Sequence, residues 1–262
     1  MLGIANGIGV PFGKNAVGGG GGGFAFGNSY YFDGVNDNMN EGGTDSSTCF
    51  NPFNQTDWTA AMWLKPDGSA FNHNTAPFGC GRYVNDAGFG SVVFFNGTAG
   101  GNIVRVYSNL YNATFTYEIP AATLADWFHL AVTVEMVDAS NQEAKIYING
   151  DLKETKTFTN YNLVDTSTSF RLGGWNNSSS FINAYMNQPV FQESLLSATD
   201  ISDLYNGGRG ANASDIMTTM KSGYLGTEAV GTTTGTITDV TGNQDLTMSG
   251  FVAPYGVVSD TP

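Results

Sequence analysis

Short stretches of alternating apolar and polar residues, separated by turn residues, constrain this fold more than any other feature. The clearest stretch is Phe128–Glu135, in which every second residue is apolar and the residues between are mostly polar. Alternation of this kind indicates a half-buried strand. Asn149-Gly150, the strongest short hairpin-turn signal, joins a strand at Ala144–Ile148 to a returning strand at Leu152–Phe158. The centre of the chain is therefore predicted to be antiparallel.

The same pattern recurs along most of the chain, whereas helical patterns are confined to its C-terminal third. Ser197-Ala-Thr-Asp200 resembles a capping box, and an apolar stripe follows it as far as Gly207. A second short helix is predicted at Ser214–Lys221. Pro189 cannot donate a ladder hydrogen bond, so its strand is predicted to be an edge strand or to contain a bulge. The other predicted strands are 28–37, 58–65, 78–83, 91–95, 103–107, 113–119, 170–175, 184–192, 236–240 and 246–248.

These elements predict an all-β protein, a two-sheet antiparallel sandwich with one or two short helices. Only 13% of the 262 residues are charged and 35 are glycine, a composition typical of short strands joined by turns.

Composition also excludes several classes of partner and location. The net charge of −13 argues against nucleic acid as a partner. No apolar run approaches the roughly 18 residues of a membrane span, and we recognise no signal peptide. Cys49 and Cys80 could pair, but without an export signal two buried thiols are favoured.

Six consecutive glycines, Gly18–Gly23, divide the chain into an N-terminal arm and a body. Fixing these six residues in one backbone conformation costs on the order of 6–12 kcal/mol of conformational entropy, and glycine has no side chain whose burial would offset it. We expect three parts, residues 1–23, 24–250 and a C-terminal tail at 251–262. The arm is either a frayed terminus or an extended peptide that docks on another protein, and its apolar content favours docking. Its apolar residues are Leu2, Ile4, Ile8, Val10 and Phe12.

Six short motifs follow one another along residues 28–206, although none of them is specific by itself. They are Tyr31-Phe-Asp-Gly-Val-Asn-Asp37, Met62-Trp-Leu-Lys65, Asp126-Trp-Phe-His-Leu-Ala-Val-Thr133, Lys145-Ile-Tyr-Ile-Asn-Gly150, Phe170-Arg-Leu-Gly-Gly174 and Leu195–Tyr205. In this order they resemble the laminin-G-like, concanavalin A-like lectin/glucanase jelly rolls. The resemblance implies that residues 24–250 form a jelly-roll sandwich, a fold that serves lectins, enzymes and structural modules.

The arm, the low charge and the Asn/Thr/Gly-rich body resemble tailed-phage virion proteins that carry this domain. The resemblance implies a non-enzymatic structural protein, either a capsid decoration or head fibre or a tail component. Such a protein is made in the host cytoplasm and displayed on the virion surface. Its arm would dock on other virion proteins of the capsid or tail, in many copies or as a homo-oligomer. The alternative is a carbohydrate-binding adhesin that recognises host or environmental glycans.

Catalytic residues are not expected. The glucanases that this chain resembles carry their carboxylates in a Glu-x-Asp-x-(x)-Glu pattern on one strand, and no glutamate here begins that pattern. The nearest approach is Glu135 with Asp138, at a predicted hairpin turn. His73 has no cysteine or carboxylate at ligand spacing, so zinc is not expected. His129 is expected to face solvent or to pair across strands.

Two candidate binding sites remain. Asp33, Asn36 and Asp37 place oxygen donors in one turn, as calcium requires, although tight turns use these residue types without any metal. The stretch 175–181 offers an aromatic platform with amide and hydroxyl groups that can bind sugar hydroxyls. The alternative for this stretch is a plain loop that closes the sandwich. Its candidate sugar-binding residues are Trp175, Asn176, Asn177 and Phe181.

Overall fold

The computed structural model describes residues 25–41, 57–72, 75–79, 92–96, 102–107, 114–138, 140–159, 170–174 and 180–262. The strands among them are β1 (Ser29–Asp33), β2 (Asn38–Asn40), β3 (Trp58–Pro66), β4 (Thr75–Gly79), β5 (Val92–Asn96), β6 (Ile103–Tyr107), β7 (Thr114–Glu118), β8 (Phe128–Asp138), β9 (Asn141–Ile148), β10 (Asp151–Thr159), β11 (Arg171–Leu172), β12 (Asn183–Gln192), β13 (Met220–Gly223), β14 (Gly235–Ile237), β15 (Leu246–Ser249) and β16 (Gly256–Val258). The helices are α1 (Ala121–Leu124), α2 (Ala198–Tyr205) and α3 (Ala213–Ile216). None of these helices has the length and apolar character needed to cross a membrane.

Two antiparallel sheets contain these strands. The first runs in the order β10-β9-β8-β3-β12-β1-β16, and β13 pairs with the end of β12. The second runs in the order β14-β15-β2-β11-β4-β5-β6-β7. The predicted all-β, two-sheet antiparallel sandwich with few short helices is confirmed.

The hydrophobic core lies between the two sheets and contains many aromatic rings. Phe78 of β4 contacts Trp58 of β3 and Phe191 of β12, with ring centroids 6.5 and 5.1 Å apart. Inward residues alternate with outward ones because successive side chains of a strand point to opposite faces. Complete burial of an aromatic side chain of this size contributes roughly 1.5–3 kcal/mol. The predicted periodicity therefore places the core correctly.

The outer face of the first sheet is also partly covered, which the sequence does not predict. The face of β8 that carries His129 and Thr133 is predicted to be mostly polar, yet both residues are buried. Ile201 and Leu204 of α2 join Tyr147 of β9 in a second apolar cluster on this face. The prediction that this face of β8 is exposed to solvent is wrong, because α2 covers it. The pattern within β8 cannot reveal this, since α2 lies far along the chain.

The first predicted helix is confirmed, and the second is shorter than predicted. Ser197 Oγ accepts a hydrogen bond from Asp200 N at 3.1 Å, and Asp200 Oδ2 accepts one from Ser197 N at 3.1 Å. This capping box starts α2, which ends at Asn206 in the left-handed conformation. The prediction of a helix at Ser214–Lys221 is wrong over its second half. Residues from Met220 onward pair with β12 instead.

Residues 251–262, predicted to be a tail, contribute to the sandwich. Phe251 is buried in the core, and β16 pairs with β1 as the edge strand of the first sheet. The Asp260 carboxylate binds Lys65 Nζ and accepts a hydrogen bond from Trp127 Nε1 at 3.1 Å. The structure therefore differs from the predicted boundary at residue 250.

A bulge interrupts β12 next to Pro189. The register with β3 shifts after Asn187, and Gln188 has a φ of 48°, in the left-handed region. Since β12 has neighbours on both sides, the bulge alternative is confirmed and the edge alternative is excluded. Asn187 Nδ2 donates to Gly27 O and Gln188 Nε2 donates to Ala211 O, each at 2.9 Å. The two amides thereby tie the start of the body and the helical segment to the sheet.

Candidate functional site

One end of the sandwich collects most of the residues that could bind a ligand. The strand registers bring the end of β1, the end of β3, the end of β9 and the start of β12 to this end. Connections between strands form its surface, and binding residues are concentrated on such connections. We call it the loop end. Its described residues are 34–37, 67–72, 119–127, 149–150, 173–174 and 180–182.

Asn183, the first residue of β12, holds loops of this end together. Its backbone oxygen accepts a hydrogen bond from Asp67 N at 3.1 Å, and its Oδ1 accepts one from Asn72 N at 2.6 Å. Ser180 O accepts from Ala76 N at 3.0 Å. A buried amide that bridges neighbouring segments fixes their relative position, as a binding site requires.

The predicted sugar-binding stretch is described only in part. Phe181 is half-buried and lies against Gly174, where an added Cβ would be 3.1 Å from Phe181 Cδ1. The same position is 3.9 Å from the Cβ of Asn38, the first residue of β2. Phe181 is thus part of the loop end. Outside the described residues lie Trp175, Asn176 and Asn177, and also residues 1–23, Cys49, His73 and Cys80.

The predicted calcium ligands form a tight turn in which one oxygen of Asp33 and one of Asp37 accept backbone hydrogen bonds. Asp33 Oδ1 accepts hydrogen bonds from Val35 N at 2.7 Å and Asn36 N at 3.3 Å. Asp37 Oδ2 accepts one from Asp33 N at 2.9 Å, whereas Asp37 Oδ1 is buried without a partner among the described residues. Within the same part of the chain, no three His, Cys, Asp or Glu side chains are placed to hold a metal ion. Calcium at Asp33, Asn36 and Asp37 stays a prediction.

The carboxyl group of Asp37 has a pKa in the mildly acidic range. Burial, with the neighbouring Asp33 carboxylate as a smaller cause, raises the pKa of Asp37 from 3.8 to about 6. The folded protein therefore holds this proton more tightly than the unfolded chain does. The contribution of Asp37 to the free energy of unfolding is fully present below its unfolded pKa, and it is lost as the pH rises through about 6.

A groove of about 390 Å³ opens at the loop end between β7, α1 and the β9–β10 turn. The sequence predicts the turn at Asn149-Gly150 but gives no sign that Tyr205 of α2 lies over it. An added Cβ on Gly150 would be 3.1 Å from Tyr205 Cδ1, so only glycine allows this approach without strain. The groove therefore cannot be predicted from the sequence. Its polar and aromatic lining residues are Tyr117, Thr123, Asn149, Asp151, Lys153 and Tyr205.

A row of rings crosses the outer face of the first sheet next to the loop end. Tyr31 of β1 and Tyr185 of β12 are paired in register and stack with centroids 4.0 Å apart. Lys65 Nζ lies 4.6 Å from the ring centroid of Tyr185 and 5.5 Å from that of Trp127. Because these ring faces contact one another or the Lys65 ammonium, the row stabilises the sheet and is not an open platform for a ligand.

The glutamate nearest to the glucanase pattern lies in an ionic cluster. Glu135 of β8 lies directly opposite Glu143 of β9, and Glu143 Oε1 is 2.6 Å from Lys145 Nζ. The hydrogen bond that Lys145 donates to Glu143 raises the pKa of Lys145; burial opposes this rise, and the neighbouring negative charges add to it. The same pairing places Glu135 and Glu143 near the end of the sheet opposite to the loop end. We therefore assign no catalytic role to this pair.

Comparison with known protein families agrees with this architecture. A laminin G-type family model, described as the concanavalin A-like lectin/glucanases superfamily, matches residues 38–202. The chain belongs to this superfamily. No curated protein sequence matches the chain.

The similar solved structures are distant in sequence. A candidate carbohydrate-binding protein of Bacteroides ovatus ATCC 8483 has a TM-score of 0.60 at 12% identity, covering 90% of this chain and 63% of its own. A SAP-like pentraxin from Limulus polyphemus has a TM-score of 0.44 at 13% identity, with coverages of 68% and 81%. The binding domain of botulinum neurotoxin DC has a TM-score of 0.42 at 17% identity, with coverages of 58% and 36%. This chain therefore spans less than two thirds of the Bacteroides protein, and the likeness concerns the fold alone.

Proposed function

We propose that this chain is a non-catalytic module that binds glycans through the loop end of its concanavalin A-like sandwich. The observation that carries the proposal is that this one end combines an aromatic ring, amide-rich loops and a groove. Phe181, the described member of the predicted sugar-binding stretch, lies there, and Asn183 fixes the surrounding loops. Rings with a few fixed polar groups are the usual composition of small-ligand sites. The fold shared with the Bacteroides ovatus candidate carbohydrate-binding protein supports the same ligand class.

Two further features favour binding over hydrolysis. The sequence carries no Glu-x-Asp-x-(x)-Glu pattern. Glu135, the glutamate nearest to this pattern, lies across from Glu143 at the end of the sheet opposite to the loop end, and Glu143 forms an ion pair with Lys145. A protein with this arrangement should bind a glycan without cleaving it.

The full chain should bind oligosaccharides on a glycan array, and the double substitution Trp175→Ala with Phe181→Ala should weaken binding about tenfold or more. Loss of stacking on an aromatic ring costs about 0.5–1.5 kcal/mol for each ring, and about 1.4 kcal/mol corresponds to a factor of ten. Calorimetry with the best array ligand measures the effect. Val137→Ala, an exposed position near the opposite end, serves as the control and should change nothing. Unaltered affinity in the double variant would remove these residues from the site.

We also propose that residues 1–23 attach this module to other virion proteins of a tailed phage. Support comes from the apolar residues of the arm, from the Gly18–Gly23 run and from the contacts that fix the first residues of the body. Phe26 packs edge-on against Trp63 with centroids 5.4 Å apart, and Asn28 N donates to Gly226 O at 2.8 Å. These contacts give the arm a fixed point of attachment. The module would then be displayed on the virion surface, as a capsid decoration, head fibre or tail component.

Deletion of residues 1–23 should leave a folded body that no longer joins the particle. The contacts of Phe26 and Asn28 remain in this variant, so its melting temperature should stay close to that of the full chain. Incorporation is measured by complementing a particle that lacks the protein and probing purified virions. Normal incorporation of the deletion variant would contradict the proposed role of the arm.

A further inference from the structure

We infer that the groove beside Tyr205 is a subsite for one neutral pyranose ring of the bound glycan. This inference rests on the proposed function, because it names the ligand class and the part of the loop end that receives it. The volume of about 390 Å³ falls within the range of roughly 300–1,000 Å³ that small-molecule sites occupy. The chemistry of the walls then decides which ligand fits.

Asn149 presents a fixed hydrogen-bond donor at the groove. Its Oδ1 accepts from His129 N at 2.9 Å, and its backbone N donates to His129 O at 2.8 Å. Its φ of 53° is the left-handed value that the first position of an Asn-Gly hairpin turn requires. The Asn149 Nδ2 group has no partner in the part of the chain that the structure describes. An amide held in this way can donate to a ligand hydroxyl with little further loss of conformational entropy.

Tyr205 gives the groove a rigid aromatic wall. Its ring is backed by Trp63 and His129, with centroids 5.7 and 6.4 Å away. On the turn side it lies against Gly150. Tyr117 adds a second, partly buried ring from a different element, β7. Rings fixed by their neighbours offer the apolar face of a sugar a preformed contact surface.

The charged groups of the groove compensate one another. Lys153 Nζ lies 3.2 Å from Asp151 Oδ2, so the pair adds no net charge at the wall. The whole chain carries a net charge of −13, which disfavours anionic sugars. The ammonium and carboxylate keep hydrogen-bonding capacity for hydroxyl groups. Two rings, a fixed amide donor and a neutral ion pair together match an uncharged polyhydroxyl ring.

Asn149→Asp is the variant that tests this inference most sharply. Aspartate keeps an oxygen for His129 N and tolerates the turn conformation, but it replaces the free amide donor with an acceptor. The affinity of the full chain for glucose-, galactose- or mannose-terminated oligosaccharides should fall about tenfold, the effect of losing one ligand hydrogen bond. Glu154→Gln, an exposed position on the adjacent β10 outside the groove, should leave the affinity unchanged.

Besides the affinity of the variant, two measurements on the wild-type protein test the subsite. The Asn149 side-chain amide signals in an NMR spectrum of the full chain should shift when these oligosaccharides bind. Because the ligand is neutral, the affinity should change less than about twofold between roughly 0.05 and 0.5 M salt. The subsite would be overturned if Asn149→Asp bound with the affinity of the wild type and the Asn149 amide signals of the wild type did not shift on binding. The proposed function would then remain intact. Failure of the wild type to bind any of these oligosaccharides or any glycan would overturn both.

Discussion

Replacing Asp239 with alanine should lower the free energy of unfolding by about 3 kcal/mol or more. Asp239 is buried, and its carboxylate accepts four hydrogen bonds. Oδ1 accepts from Gly223 N and Thr241 N, both at 3.0 Å. Oδ2 accepts from Thr241 Oγ1 at 2.9 Å and from Gln244 N at 3.0 Å. Alanine would deprive three backbone N–H groups of their acceptor, and each costs about 1–3 kcal/mol when buried.

Denaturant unfolding near neutral pH measures the loss, and Asp239→Asn is the matched control. Asparagine retains the shape and one acceptor oxygen, so it should lose roughly half as much stability as alanine does. The carboxylate joins the end of β13 to the loop before β15, so the alanine variant should also loosen this segment in hydrogen exchange. A loss below about 1 kcal/mol in the alanine variant would contradict the expected role of Asp239.

Lowering the pH from about 6.5 to about 3 should reduce the free energy of unfolding by up to about 1.4 kcal/mol for each pH unit through His129 alone. The side chain is 3% exposed, it lies against the rings of Trp63 and Tyr205, and burial lowers its pKa from 6.5 to about 3. In this window the unfolded chain binds a proton that the folded protein excludes. The stabilising effect of neutral His129 is therefore complete above the unfolded pKa and lost as the pH falls.

His129→Leu isolates this effect. Leucine removes the titratable ring and keeps both backbone hydrogen bonds with Asn149. Between about pH 7 and pH 4, the difference in unfolding free energy should move in favour of the variant by about 3 kcal/mol. Asp37 acts with the opposite sign in part of this range, but it is present in both proteins and cancels in the difference. A difference that does not vary with pH would contradict the burial of a neutral imidazole.

Features encoded within a few residues could be predicted from the sequence. The Asn149-Gly150 turn and the capping box at Ser197 involve backbone and side chains that are near neighbours in the chain. The alternation of β8 fixes which residues enter the core, because the side-chain period of a strand is two. Pro189 signals an irregularity for a local reason, since it cannot donate a ladder hydrogen bond.

Features that depend on distant residues could not be predicted. The burial of His129 requires α2, and the groove requires Tyr205 to lie over Gly150. The predicted strand at 236–240 ends at Ile237, because the next residues form a loop around the Asp239 carboxylate. Side-chain oxygens of aspartate can capture backbone N–H groups that a strand would otherwise use. The pattern of a single segment does not show which distant residues will cover it or which side-chain oxygens will bind its backbone N–H groups.

Glycan binding by the full chain is the most direct test of the proposed function. The protein is applied to a glycan array, and the strongest ligand is then titrated by calorimetry into the wild type, the Trp175→Ala/Phe181→Ala variant and Val137→Ala. We expect saturable binding without cleavage, weakened about tenfold or more in the loop-end variant and unchanged in Val137→Ala. A folded full chain that binds no glycan, under conditions in which a control lectin binds, would contradict the proposal.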